Sequence, residues 1–159
     1  MIQKYALVTG GSRGIGRAIC LKFAEMGLPV IVGFHSNQTA AQEVCDLILQ
    51  GGGNASIMQF DVCDKSDVEA KLSAWEKDHP DSYIAYLVNN AGVSHDNLMF
   101  MMTDDDWDSV IMTSVNGLFY VTRYLLPNMM ARGRGGRIVN MSSLSGLKGL
   151  AGQTNYCDL

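Results

Sequence analysis

The stretch Thr9-Gly-Gly-Ser-Arg-Gly-Ile-Gly16 stands between a short apolar run, Tyr5-Ala-Leu-Val8, and a segment whose apolar residues recur at Ile15, Ala18, Ile19, Phe23 and Met26. The run reads as a buried strand and the recurrence as one face of a helix, with Gly27 where a C-cap belongs. Glycines at 10, 14 and 16 therefore occupy a strand-to-helix turn. Glycine lets the backbone bend sharply, and it lets a pyrophosphate approach main-chain N–H groups at a helix N-terminus. A ligand-free tight connection could use the same residues, but the order strand, glycine turn, helix favours a dinucleotide site.

Reading outward, the same alternation continues along the chain. Residues 29–34 form a second apolar run, and a helix is predicted over 39–50, closed by Gly51-Gly-Gly53. A third strand over 55–60 ends in Asp61-Val62, and a helix over 66–77 follows with Ser66 as its expected N-cap. A fourth strand over 83–88 ends in Asn89-Asn-Ala-Gly92. Residues 104–130 read as one long helix with acids in its first turn, where they suit the dipole. A fifth strand over 136–141 runs into Ser142-Ser143 and a glycine-rich loop. Strands alternating with helices in this way predict an α/β fold, a doubly wound parallel sheet in a single domain spanning 1–159.

Composition excludes several alternatives. The 159 residues are 47% hydrophobic and 18% charged, with net charge −4, so the chain is neither disordered nor built to bind nucleic acid. No apolar run reaches the ~20 residues of a membrane span. Cys20, Cys45, Cys63 and Cys157 are scattered without metal-ligand spacing, which reads as reduced, mostly buried thiols in a cytoplasmic protein. Asp104-Asp105-Asp106 reads as a helix start, not a metal site. The run Leu98-Met-Phe-Met-Met102 is expected to fill a core or a subunit contact in preference to a substrate groove.

The end of the second strand bears on the cofactor. An NAD site commonly places an acid there for the ribose 2′-OH. Here the sequence is Gly33-Phe-His35-Ser36-Asn37, with no acid before Glu43. A carboxylate would repel a 2′-phosphate, so its absence favours NADP(H). Arg13 is the candidate cation for that phosphate, and His35, Ser36 and Asn37 are candidate hydrogen-bonding partners.

Taken together, these strings resemble the short-chain dehydrogenase/reductase family over the whole length. The family's T-G-x-x-x-G-x-G corresponds to Thr9–Gly16, its adenine-pocket Asp-Val to Asp61-Val62, and its N-N-A-G to Asn89–Gly92. Its serine corresponds to Ser143 and its tyrosine to Tyr156, thirteen positions on. Within the family, segments 12–18, 89–99, Asp106-Trp107 and Gly136-Arg-Ile-Val139 are similar to bacterial 3-oxoacyl-acyl-carrier-protein reductases. The resemblance implies NADPH-dependent reduction of a 3-oxoacyl thioester in fatty acid biosynthesis. It implies a small-molecule or carrier-bound acyl substrate and homo-oligomeric full-length relatives. Reductases of other ketones and alcohols share most of the strings. The cofactor residues it implies are Gly10, Ser12, Arg13, Gly14, Ile15, Gly16, His35, Ser36, Asn37, Asp61, Val62, Asn89, Ala91 and Gly92. Ser143 would polarise the substrate carbonyl and Tyr156 would donate the proton.

Three departures from the family pattern qualify that reading. The family's lysine, four positions after the tyrosine, would be residue 160, past the last residue of this sequence. A tyrosine with its ordinary pKa of ~10 is a poor donor without such a cation, so impaired catalysis is expected. The family's water-anchoring asparagine aligns with Ser114, a further candidate catalytic residue, whereas Asn116 lies ~200° around a regular helix and inherits no role. Family members reach about 250 residues, so the chain is expected to be a fragment lacking the C-terminal third, an NADP-binding piece with uncertain activity.

Overall fold

Five strands and the helices between them follow the predicted order. In the computed structural model, which describes residues 2–131 and 135–157, β1 (Gln3–Val8) leads through the glycine turn into α1 (Gly14–Glu25). Then come β2 (Val30–Phe34), α2 (Gln38–Gln50), β3 (Ala55–Gln59), α3 (Lys65–Asp78) and β4 (Ser82–Asn89). After a loop, α4 (Asp104–Ile111) passes through a π turn (Met112–Asn116) into α5 (Gly117–Ala131). The described chain closes with β5 (Arg137–Asn140) and two short helices, α6 (Leu144–Lys148) and α7 (Thr154–Cys157).

All strand pairs are parallel and the sheet order is β3-β2-β1-β4-β5. The chain steps outward from β1 to β3, then crosses back to place β4 on the other side of β1. That reversal opens a crevice between the carboxyl ends of β1 and β4, the place where doubly wound sheets bind ligands. The glycine turn leaves β1 and the Asn-Asn-Ala-Gly turn leaves β4, so both flank it.

The central strands are buried on both faces, which is why they read as continuous apolar runs. Along β1, Tyr5 and Leu7 point to a layer with Ile31, Leu72, Leu87 and Leu125, whereas Val8 faces Cys20, Val32, Val44 and Ile48. Period two in the strand thus divides one apolar run between two cores, one under α3 and α5 and the other under α1 and α2. β5 forms an outer edge, with Val139 half exposed.

Three expectations need correction. Ser66 is not the N-cap of α3. Asp64 is, its carboxylate accepting the N–H groups of Ser66 and Asp67 at 2.8 and 3.2 Å. A carboxylate two residues upstream reaches the first orphan donors better than a serine already inside the first turn. Of the two roles expected of the Met-rich run, core filling is overturned, since Met99, Phe100 and Met101 are 71%, 84% and 58% exposed. The long helix is interrupted by the π turn, which adds one residue to a turn and rotates everything after it. Asp158 and Leu159 lie outside the described residues.

Candidate active site

The glycine turn is held in shape by the turn from the neighbouring strand. Thr9 is buried, and its Oγ1 accepts the backbone N–H groups of Asn90 and Ala91, each at 3.0 Å. In return, Asn90 Nδ2 donates to the carbonyls of Thr9 (3.0 Å) and Gly10 (3.1 Å). Four hydrogen bonds therefore lock two loops that are some eighty residues apart in sequence. Neither Thr9 nor Asn90 was picked out as a functional residue by sequence reasoning. The signal was present as a polar residue at each strand end, where buried backbone groups lose their ladder partners.

Two glycines shape the cradle. Gly10 has φ +64°, a conformation that side chains other than glycine resist. Gly16 is buried, and a Cβ there would overlap the Gly10 carbonyl oxygen and come within 2.6 Å of Asn90 Nδ2. Only glycine at 16 lets α1 start so close to the turn. The N-terminus of α1 is capped by Arg13 in extended backbone with no side-chain cap bond, and its first turn holds no acid. Its N–H groups and the dipole are thus presented to an anion.

Around this turn lies a groove of about 540 Å³. It gathers Gly10, Ser12, Arg13, Gly14 and Ile15 from the first turn, and His35, Ser36 and Asn37 from the end of β2. Asp61 and Val62 come from the end of β3, and Ala91 and Gly92 from the end of β4. Of the predicted cofactor residues, only Gly16 and Asn89 are elsewhere. Gly16 lies beneath the turn as its spacer. Asn89 is buried, and its Nδ2 donates to Thr122 Oγ1 at 3.0 Å and Asn140 Oδ1 at 2.9 Å, tying β4 to α5 and β5.

Charges in the groove are sparse. Arg13 is exposed at its rim. The Asp61 carboxylate accepts the Cys63 N–H at 2.8 Å and stands 3.8 Å from His35 Nε2. Asn37 caps α2 by accepting the Ala40 N–H at 3.0 Å, which leaves its Nδ2 as a donor. Cys63, unanticipated here, also lines the groove. Its sulfur is 3.3 Å from Thr113 Oγ1, and burial pushes its thiol above the ordinary range.

A second cavity of about 470 Å³ brings together Ser114, Ser143 and Tyr156, with Asn89 and Asn140 on its wall. The two cavities share Ile15, Asn90, Ala91, Gly92 and Val93, so they form one cleft running across the switch point. Ser143 is the N-cap of α6, its Oγ accepting the Ser145 N–H at 3.1 Å, which leaves its own O–H to donate. Ser114 sits in the π turn, its Oγ buried without a partner and bordering the open cavity. Asn116 instead turns to Met112, its Nδ2 2.8 Å from the sulfur.

Comparison with known proteins agrees with this geometry. The family model for short chain dehydrogenases matches residues 4–157. A 3-oxoacyl-[acyl-carrier-protein] reductase FabG of Aggregatibacter actinomycetemcomitans is 40% identical over 150 residues, covering 94% of this chain and 61% of the relative. The FabG of Staphylococcus aureus strain N315 is 40% identical over 155 residues, and the 3-oxoacyl-[acyl-carrier-protein] reductase of Synechocystis is 38% identical over 156. Each of these two alignments covers 98% of this chain and 62% of the relative, so the chain spans about three fifths of the length of the curated relatives it matches. Among the described residues no group of His, Cys, Asp and Glu could hold a metal, and no helix is long and apolar enough to cross a membrane.

Proposed function

Because the chain belongs to the short chain dehydrogenase family, we propose that it serves NADPH-dependent reduction of a 3-oxoacyl thioester to the 3-hydroxyacyl form. The observation that carries this reading is the single cleft in which the phosphate-binding turn and the Ser143–Tyr156 pair share a wall at Asn90, Ala91 and Gly92. The reading is supported by glycines where a Cβ would block the backbone and by a helix N-terminus without an acid at the groove, and it gives the 2′-phosphate to Arg13 at the groove's rim. His35, Ser36 and Asn37 would complete the phosphate end, and Asp61 with Val62 would hold the adenine.

The reduced nicotinamide supplies the hydride. The chain's own residues manage the oxygen of the ketone. Ser143 donates its O–H to the carbonyl oxygen while the Ser145 N–H fixes its Oγ. Tyr156 delivers the phenolic proton as negative charge develops there. Ser114 Oγ, buried and unbonded at the cavity wall, is a natural perch for a water that resupplies that proton. The relatives' printed names point to an acyl-carrier-protein thioester as substrate.

A second reading is favoured by how differently the two ends are built. The dinucleotide end is braced by partly buried bonds between the turns after β1 and β4, whereas Ser143 caps α6, a helix of five residues. On that reading the chain binds NADP(H) with little turnover. Acetoacetyl-thioester-dependent NADPH oxidation separates the two. Turnover that disappears in Tyr156→Phe, with NADPH binding retained, supports the reductase. Binding without turnover supports the second reading, and turnover undiminished in Tyr156→Phe removes Tyr156 from the chemistry.

A further inference from the structure

Tyr156 lies on α7, beside a residue whose side chain ties that segment to two others. Its neighbour Asn155 is fully buried. The Asn155 Nδ2 donates to the carbonyl of His95 at 3.1 Å and to the carbonyl of Asp106 at 3.0 Å. These acceptors belong to two different segments, the loop after β4 and the first turn of α4. The amide orientation follows from them, since a flipped Asn155 would set its oxygen against two carbonyl oxygens. Its Oδ1 is left buried with no partner, a cost the structure bears to keep both donors in use.

We propose that Asn155 is the positioning residue for Tyr156, clamping the tyrosine's helix to the loop after β4 and to the first turn of α4. The inference rests on the reading of Tyr156 as proton donor and adds how its position is set. A second clamp lies two residues earlier: Gln153 accepts from Ser145 Oγ and donates to Asp96 Oδ2, both at 2.8 Å. The Asn97 N–H reaches the Gly152 carbonyl at 2.7 Å. The start of α4 that Asn155 grips is itself braced, because Thr103 and Asp106 form a reciprocal capping box there. Residues 95–97 thus hold the segment that carries Tyr156 at Gly152, Gln153 and Asn155.

The test is fluorine NMR of the chain labelled with 3-fluorotyrosine at its six tyrosines, with Tyr156→Phe identifying the Tyr156 signal. Asn155→Asp turns the donor into an acceptor facing two carbonyls, and Asn155→Ser shortens it without adding charge. The expected result is a displaced or broadened Tyr156 signal, with those of buried Tyr5 and Tyr83 unmoved. Should Asn155→Asp unfold the chain, Asn155→Ser decides. A Tyr156 signal at its original position in a folded variant overturns the proposal. So does loss of all six signals in both variants, which would make Asn155 a support of the whole fold. The readout needs no turnover, so a catalytic Tyr156→Phe would contradict the proton-donor reading and leave the clamp result standing.

Discussion

The hydroxyl of Thr9 accepts the backbone N–H of Asn90 at 3.0 Å while the side chain of Asn90 donates back to the Thr9 carbonyl at the same distance. This reciprocal pair fixes the separation of the two turns between which a dinucleotide would lie. Thr9→Val keeps the shape and removes the acceptor, leaving the N–H groups of Asn90 and Ala91 without their partner. Urea denaturation should show a loss of about 2 kcal/mol, the scale for orphaned buried donors. An unchanged midpoint would mean that water satisfies both groups.

Arg13 is the residue proposed to separate NADPH from NADH. Its guanidinium would meet the 2′-phosphate through a charge-assisted bond worth roughly 1.5–3 kcal/mol. Arg13→Ala should therefore weaken NADPH roughly 10- to 100-fold and leave NADH nearly unaffected. Equal losses for both would instead place Arg13 on the shared pyrophosphate.

The cysteines report on groove occupancy. Burial pushes the Cys20 thiol up to about 12, and Cys45 is buried with its thiol also raised. Both should resist alkylation at pH 8 until the chain unfolds, because the thiolate is the reacting form. Cys63 is half buried on the groove wall and should label before them, more slowly than a free thiol. Saturating NADPH should protect Cys63, as followed by mass spectrometry. Labelling of Cys63 at the same rate with and without NADPH would place the nucleotide outside this groove.

Asp106 links acid stability to the helix start that Asn155 grips. The Thr103 backbone N–H, then its hydroxyl, holds the Asp106 carboxyl below its ordinary value of 3.8. A pKa lowered on folding adds stability above the unfolded value, and that stability is lost as pH falls through the folded one. Asp106→Asn should accordingly unfold more readily than the unaltered chain at pH 7. The gap should close below about pH 4, measured by circular dichroism during denaturant titration. A gap independent of pH would deny the carboxylate its capping role.

Much of this architecture was legible because its determinants are local. The glycine turn, Asp61-Val62 and Asn89–Gly92 each sit at a strand end, where only backbone geometry and a few polar contacts matter. What escaped depends on contacts across the fold. Asn90 looked like one of a pair of turn residues until its amide was seen to hold Thr9 and Gly10. The π turn at Met112–Asn116 was invisible because a regular period of 100° per residue leaves no place for an extra residue. The Asp64 cap was missed because Ser66 fits the same pattern by composition. Asn155 drew no attention, since nothing in Thr154–Cys157 says that two distant carbonyls meet its side chain.

On the proposed function, the cleft at the β1/β4 switch point takes NADPH in preference to NADH. Fluorescence titration of the unaltered chain with each nucleotide tests it most directly, with Gly16→Ala as the control that crowds the Gly10 carbonyl. The expected result is saturable NADPH binding, weaker NADH binding, and loss of both in Gly16→Ala. Absence of saturable NADPH binding, or NADH binding as tightly, would contradict it.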